Sequence, residues 1–233
     1  YALNVNYALL KRHYQTEYSI LYNPKDLAYC IFTSGSSGIP KGVLLTYEGI
    51  VNHIKAKITL LNLTHESRLC LSFNIGFVAS IWQILTPIFL GAQLYLYEST
   101  TIKKPYQFLQ QLEKDKIHLV SMIPHSLYAY LQYIGTKHSK LALPYLNWIV
   151  LTGEKVDRVV IDTFFREYKH ISLINAYGQT ECSDDTFHYI IPKDVESDIP
   201  IGSPIPNVSY KILNENMEEI INSNKGELYI SGL

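Results

Sequence analysis

The sequence is poor in cysteine and has almost no net charge. Its 233 residues include 20 lysines and arginines against 21 aspartates and glutamates, which gives a formal net charge of −1. This balance argues against a protein that binds nucleic acid through a basic surface. The three cysteines, Cys30, Cys70 and Cys182, stand far apart without metal-ligand spacing. We therefore expect buried thiols in a reducing, cytoplasmic compartment.

The sequence also lacks clear signals for secretion or membrane insertion. No charged segment followed by an apolar one opens the chain, as it would in a signal peptide. One uncharged run extends from Phe77 to Tyr97, but Pro87, Gly91 and two glutamines interrupt it. A buried helix followed by a strand explains this run better than a membrane span does, so we expect no membrane partner.

Apolar residues are plentiful, at 47% against 18% charged residues, which is enough for a sizeable core. Apolar strand-like runs alternate with helical patterns along most of the chain. This alternation predicts an α/β fold in which a mainly parallel sheet is layered with helices.

The pattern changes near residue 190. The segment that follows has short strands and turn residues without a helical period, which predicts the start of an antiparallel β subdomain. The predicted domains are therefore 1–190 and 191–233. Because the last residues resemble the middle of a strand, we expect the chain to be part of a longer protein.

A loop rich in glycine and hydroxyl groups, "FTSGSSGIPKG" at residues 32–42, is the most distinctive segment. Glycines let backbone N–H groups approach an anion, small hydroxyls add donors, and Lys41 adds a positive charge. These groups suit a polyphosphate. Because Gly42 rather than serine or threonine follows Lys41, the pattern is not a Walker P-loop. Taken alone, the segment also fits a surface linker.

The longer stretch "LAYCIFTSGSSGIPKGV" resembles the phosphate-binding signature of adenylate-forming enzymes, specifically the adenylation domains of nonribosomal peptide synthetases. Three more stretches resemble motifs of this family, in the family's order. They are "FVASIWQILTPIFLGAQLYL" at 77–96, "NAYGQTE" at 175–181, with Gln179 where proline is usual, and "GELYISGL" at 226–233. The resemblance covers essentially the whole chain. It implies ATP-dependent activation of a carboxylic acid to an acyl-adenylate, with release of pyrophosphate.

The resemblance implies a role for each residue of these motifs. Lys41, Thr180 and Glu181 would be catalytic, with Thr180 donating to the α-phosphate and Glu181 holding Mg2+, a hard cation that prefers oxygen ligands. Tyr177 would offer a flat face to adenine, and Asn175 would hydrogen-bond its exocyclic amine. The other implied nucleotide-binding residues are Thr33, Ser34, Gly35, Ser36, Ser37, Gly38, Gly153, Ala176 and Gly178.

The acid pocket departs from the family pattern at one position. Typical members carry an aspartate directly after the aromatic residue that Phe77 matches, and this aspartate pairs with the α-ammonium of an amino acid. Here the position is Val78, and burying an unpaired ammonium against valine would cost roughly several kcal/mol. Aryl-acid-activating relatives carry asparagine there, so a benzoate-like acid is not favoured either. We expect an acid without an α-amine, an α-keto or α-hydroxy acid, as in relatives that build depsipeptides.

The other implied pocket positions are mostly apolar and suit a branched or aromatic side chain. Asp184 and Asp185 leave an alternative open. In one alternative, one or both side chains face solvent or hydrogen-bond to the backbone. In the other, they pair with a substrate amine that is not at the usual α-position, as in a β-amino or basic amino acid. The histidines show no metal-ligand spacing, and we expect them in the core or at the surface. The implied substrate positions are Phe77, Val78, Ala79, Trp82, Ser121, Val150, Thr152, Ala176, Asp184 and Asp185.

The resemblance also implies partners. A C-terminal adenylation subdomain with a catalytic lysine would follow Leu233, so residues 1–233 alone would turn over poorly. A downstream carrier domain bearing phosphopantetheine would receive the acid as a thioester. A stand-alone acyl-CoA ligase and an inactive adenylation-like interaction scaffold stay open as alternatives. Lys41, Thr180 and Glu181 together favour an enzyme, since a site that has lost its function need not keep all three.

Overall fold

The computed structural model of the protein describes residues 23–34, 38–137, 139–195, 198–220 and 225–232. Its strands are β1 (Leu27–Thr33), β2 (Lys41–Thr46), β3 (Arg68–Leu71), β4 (Gln93–Leu96), β5 (Leu119–Met122), β6 (Trp148–Thr152), β7 (Ser172–Gln179), β8 (Asp184–Ile191), β9 (Ser203–Pro204), β10 (Val208–Leu213) and β11 (Glu227–Gly232). Its helices are α1 (Tyr47–Leu61), α2 (Ala79–Leu90), α3 (Ser99–Ile102), α4 (Pro105–Lys114), α5 (Pro124–Lys137) and α6 (Arg158–Glu167), and a 3-10 turn covers Thr180–Cys182.

Seven strands form the central sheet, in the order β4-β3-β5-β6-β7-β8-β9. Neighbours from β4 to β7 are parallel, whereas β8 and β9 are added antiparallel at one edge. β1 with β2, and β10 with β11, form separate antiparallel hairpins. This arrangement confirms the predicted fold class. The division into domains 1–190 and 191–233 stays a prediction.

The sheet has an apolar core on each face because successive side chains of a strand point to opposite sides. Val150 and Ile174 pack with α1 and α2 on one face. Their neighbours Ile149 and Leu173 pack with α4, α5 and α6 on the other. The uncharged run from residue 77 to 97 is α2 and β4, the predicted helix and strand. Within the described ranges, no helix is both long and apolar enough to cross a membrane.

Helix α1 begins directly after β2. The Thr46 side-chain oxygen accepts a hydrogen bond from the Gly49 N–H at 3.4 Å and caps the helix. Apolar residues recur at helical spacing on the buried face, but polar residues share that face. Its buried side chains include Ile50, Asn52, His53, Ile54, Lys57 and Leu61.

A β-bulge interrupts the pairing of β7 with β8. Tyr177 faces Phe187, whereas Gly178 faces Asp185, so the register shifts between them. A Cβ atom on Gly178 would lie 2.1 Å from the Asp184 carbonyl oxygen and 2.3 Å from the Asp185 Cα. Only glycine allows this close approach, which brings the first residues of β8 against the end of β7.

We expect Gly178→Ala to lower the free energy of unfolding by about 1–3 kcal/mol, because the added methyl group forces β8 away from β7. Calorimetric unfolding of the purified protein measures this loss. Gly135→Ala is the matched control, since Gly135 lies in α5 with open space where a Cβ would be. Alanine there should leave stability unchanged or raise it. Equal stability of Gly178→Ala and the unchanged protein would contradict the expected collision.

Candidate active site

The predicted phosphate loop joins β1 to β2. Thr33 faces Lys41 at the base of this hairpin, and the Thr33 hydroxyl donates to the Lys41 carbonyl oxygen at 3.5 Å. Ser34, Gly38 and Lys41 are exposed, so their donors are open to a ligand. Three predicted loop residues lie outside the described residues: Gly35, Ser36 and Ser37.

The hairpin lies against the predicted nucleotide motif. β2 contacts the 3-10 turn, which carries Thr180, half-buried, and Glu181, exposed. The strand that begins at Lys41 therefore shares one region with a hydroxyl and a carboxylate. Ammonium and hydroxyl donors suit phosphate oxygens, and an exposed carboxylate suits Mg2+. This set of groups fits the triphosphate and metal that the resemblance implies.

The end of β7 carries the predicted adenine-binding residues. Asn175 is buried, and its side-chain nitrogen donates to the Pro200 carbonyl oxygen at 2.8 Å. The Asn175 side-chain oxygen is an acceptor suited to an exocyclic amine. Tyr177 is 42% exposed, and its ring meets the Phe187 ring edge to face at a centroid distance of 6.2 Å. Gly153 directly follows β6 and has a φ of 87°, a left-handed conformation that favours glycine.

Several of the predicted acid-pocket residues lie together on the parallel strands of the sheet, whose carboxyl ends are the usual ligand position in such sheets. Trp82, Val150 and Ala176 belong to one apolar cluster. Ser121 faces Val150 between β5 and β6, and Thr152 faces Ala176 between β6 and β7. Phe77 is exposed, Val78 half-buried, and Ala79, Trp82, Ser121, Val150, Thr152, Ala176, Asp184 and Asp185 buried.

Asp185 lies in a buried ion cluster. The Lys57 Nζ of α1 is 2.5 Å from Asp185 Oδ2, and the His53 Nε2 is 3.5 Å from Oδ1. The His188 ring also hydrogen-bonds to Oδ2. The Lys57 Nζ lies 5.0 Å from the centroid of the Trp82 ring, a cation–π contact. The cluster therefore joins α1, α2 and β8 beside the predicted acid pocket.

The charges of this cluster follow from burial and proximity. Burial alone would raise the pKa of Asp185, but the charge of Lys57, with smaller contributions from the neighbouring His53 and His188, holds that pKa well below its usual value. Burial is also the main cause that lowers the pKa of His53 and of His188. Both imidazoles are therefore neutral in neutral solution. The cluster consists of one carboxylate, one ammonium and two neutral rings.

Asp184 stands beside this cluster in a different state. It is 6% exposed, and its Oδ2 has no hydrogen-bond partner among the described residues. Burial, and then the charge of Asp185, raise the pKa of Asp184 well above its usual value, which favours the neutral acid. The Lys57 ammonium is paired with Asp185 by charge, but no partner in the described part of the chain meets it with hydrogen-bond geometry. The site thus holds buried polar atoms that a ligand can satisfy.

His53, Asp185 and His188 bring their nitrogen and oxygen atoms within 4.8 Å of one another. That spacing resembles a metal site. However, the Lys57 ammonium already provides the positive charge beside Asp185, and a divalent cation placed there would be repelled by it. We interpret the group as a salt-bridge network.

The sequence-based prediction gave no role to His53, Lys57 or His188. Of the alternatives for Asp184 and Asp185, exposure to solvent is wrong, because both are buried. A signal was present in "DDTFHYII", since carboxylates in a strand-like segment need a counter-charge when buried. His53 and Lys57 also stand four residues apart, on one face of a helix.

Known proteins share both the sequence pattern and the fold of this chain. The family model described as AMP-binding enzyme matches residues 8–233. Tyrocidine synthase 3 of Brevibacillus parabrevis is 32% identical over 208 residues, which cover 89% of this chain and 3% of that protein.

Two solved structures have the same fold. The Vibrio cholerae adenylation domain AlmE, in complex with glycyl-adenosine-5'-phosphate, matches with a TM-score of 0.79 at 22% identity, over 89% of this chain and 40% of that one. The Klebsiella oxytoca NpsA N-terminal subdomain, in complex with 3-hydroxybenzoyl-AMSN, matches with a TM-score of 0.76 at 22% identity, over 97% of this chain and 55% of that one. The chain thus spans 55% or less of the length of these relatives. It belongs to the AMP-binding enzyme family, and it is similar to the adenylation domains of nonribosomal peptide synthetases.

Proposed function

We propose that this chain is the nucleotide- and acid-binding part of an enzyme that uses ATP to convert a carboxylic acid into an acyl-adenylate. The acyl group would then be transferred to the phosphopantetheine thiol of a carrier domain, which forms a thioester and releases AMP. We further propose that the acid lacks an α-amine and is a 2-oxo or 2-hydroxy acid. Membership of the AMP-binding family supports the reaction, and the surroundings of Val78 and Lys57 support the class of acid.

The reaction requires two anionic groups to meet. A carboxylate is a weak nucleophile facing a highly charged triphosphate, so the site must align the two and neutralise charge. Lys41 and the loop would bind the β- and γ-phosphates, and Thr180 would donate to the α-phosphate. Glu181 would hold Mg2+, which neutralises phosphate charge when bound. The carboxylate oxygen forms a bond to the α-phosphorus as the bond to the pyrophosphate oxygen breaks.

The observation that carries the class of acid is the positive charge of Lys57 beside the pocket. Its ammonium lies 5.0 Å from the centroid of the Trp82 ring, while Val78 offers no acceptor. An ammonium on the substrate would find no counterion at Val78, and Lys57 already occupies the Asp185 carboxylate. A keto or hydroxyl oxygen, by contrast, can accept a hydrogen bond without bringing in charge.

The amino-acid alternative depends on Asp184 and Asp185. Lys57 already neutralises Asp185, and burial favours the neutral form of Asp184. A neutral buried acid is a hydrogen-bond donor rather than a counterion. A β-amino or basic substrate would therefore have to displace Lys57 or ionise Asp184, and we favour the acid without an amine.

ATP–pyrophosphate exchange on the full-length protein tests this class with two matched series. One is pyruvate, lactate and alanine; the other is 4-methyl-2-oxopentanoate, its 2-hydroxy analogue and leucine, with arginine and β-alanine added. In whichever series is active, we expect kcat/KM for the oxo or hydroxy acid to exceed that for the amino acid by at least about tenfold. Exchange with an amino acid alone would overturn the proposed class. No exchange with any carboxylic acid would favour the inactive scaffold.

Val78→Asp should raise exchange with alanine or leucine, because the new carboxylate provides a partner for the α-ammonium. Val78→Asn is the matched control: it is polar and of similar size but carries no charge, so it should produce no such gain. The same exchange assay compares both variants with the unchanged protein. An unaltered preference in Val78→Asp would show that this position does not face the 2-substituent of the acid.

Lys41→Ala should reduce kcat/KM for ATP by about 10- to 100-fold, because one charge-assisted contact to phosphate is lost. Lys55→Ala is the control, since Lys55 is an exposed lysine of α1 with no role in the proposed site. Steady-state exchange at varied ATP concentration measures both. Equal effects of the two substitutions would contradict a specific phosphate contact by Lys41.

A further inference from the structure

We propose that Lys57 is a specificity-determining residue that closes the far end of the acid pocket and restricts the enzyme to acids with short side chains, such as a 2-oxo or 2-hydroxy acid of three carbons. This inference rests on the proposed function. Lys57 is not one of the pocket positions that the family resemblance implies. Its role follows from where its side chain lies.

Lys57 bridges two walls of the predicted pocket. Its Nζ lies 5.0 Å from the centroid of the Trp82 ring on α2 and 2.5 Å from Asp185 Oδ2 on β8. Both partners are predicted pocket positions, whereas Lys57 reaches them from α1. Lys57 is 0% exposed and Trp82 2% exposed. A side chain of the acid that pointed toward Trp82 would therefore meet Lys57 rather than open space.

The position of the contact between Lys57 and Trp82 limits the length of the side chain that the acid can carry. Val78 directly precedes α2, and Trp82 stands four residues further on, on the same face and about 6 Å along the helix axis. An acid whose 2-position lies at Val78 would extend its side chain along this face toward the Trp82 ring. A methyl group ends before the ring, but a branched four-carbon side chain reaches the region that Lys57 fills.

Lys57 is also held in place. If its side chain swung away, the Asp185 carboxylate would stay buried with two imidazoles that burial keeps neutral. Breaking a buried ion pair in this way is strongly unfavourable. The Trp82 ring would lose its cation–π contact as well. The pocket should therefore keep its length when an acid binds instead of adapting to a longer one.

This restriction changes the expectation drawn from the apolar lining. Trp82, Val150 and Ala176 do form an apolar cluster, which by itself suits a branched or aromatic side chain. These residues describe the walls, but they do not reveal what else occupies the space between them. With Lys57 there, the same walls enclose room for a short side chain.

The test is exchange kinetics of the full-length protein with pyruvate, 2-oxobutanoate and 4-methyl-2-oxopentanoate. For the unchanged protein we expect kcat/KM to fall along this series by at least about tenfold overall. Lys57→Ala should raise kcat/KM for 4-methyl-2-oxopentanoate relative to pyruvate by a similar factor, because it opens the end of the pocket. Since this substitution leaves Asp185 unpaired, the double variant Lys57→Ala/Asp185→Asn is made beside it.

Lys57→Met/Asp185→Asn is the matched control. Methionine is nearly as long as lysine but carries no charge, so this variant should keep the preference for short acids even though the ion pair is gone. Comparing this variant with Lys57→Ala/Asp185→Asn shows whether the preference for short acids depends on the size of residue 57 or on its charge. Thermal unfolding of each variant shows which of them are folded, and the series on the unchanged protein tests the proposal even if none is.

Two results would overturn the size limit and leave the proposed function standing. One is a preference of the unchanged protein for 4-methyl-2-oxopentanoate over pyruvate. The other is an unaltered length preference in a folded Lys57→Ala/Asp185→Asn variant. Exchange with amino acids alone, or with no carboxylic acid at all, would instead contradict the proposed function.

Discussion

A carboxylate buried in a protein requires a counter-charge, and this requirement at Asp185 determines how the site is assembled. Lys57 and His53 come from α1, the helix that follows the predicted phosphate loop, and His188 comes from β8, the strand that follows the nucleotide motif. Their meeting holds these two parts of the chain together. The bulge at Gly178 completes the arrangement, because it allows β8 to start close enough to β7 for Asp185 to face inward.

A cluster of this kind contributes little net stability, because the cost of removing both charges from water offsets much of their attraction. What it provides is a fixed geometry. Asp184 and Asp185 are consecutive, yet one is favoured as a neutral acid and the other is held ionised. The difference arises from Lys57, which contacts one carboxylate directly. Neighbouring residues of one strand thereby acquire different chemistry, a common way for proteins to assign distinct roles to two carboxyl groups.

Much of the fold could be predicted because its signals are local. Alternating strand and helix patterns predicted the sheet class, and the uncharged run from residue 77 to 97 is the helix and strand that the sequence predicts. The family motifs also located Trp82, Val150 and Ala176, which the fold brings into one cluster.

The ion cluster could not be predicted in the same way. Lys57 stands at helical spacing from Ile50 and Ile54, on the buried face of α1, but a lysine in a helix is normally expected in solvent. Its partner lies far along the chain in β8, and no local spacing connects the two. The bulge that orients β8 depends on a backbone contact of Gly178, which is likewise invisible in the sequence. The ion pair between distant residues and the close backbone contact at Gly178 could therefore be identified only from the structure.

The pairing of Lys57 has a consequence for chemical self-protection. An acyl-adenylate is an acylating agent, and a free amine is a nucleophile that it acylates. An ammonium has no lone pair with which to attack, and the Lys57 ammonium lies 2.5 Å from Asp185 Oδ2. In the reaction proposed above, a lysine would therefore form part of the wall beside an activated acid without capturing the acyl group meant for the carrier thiol.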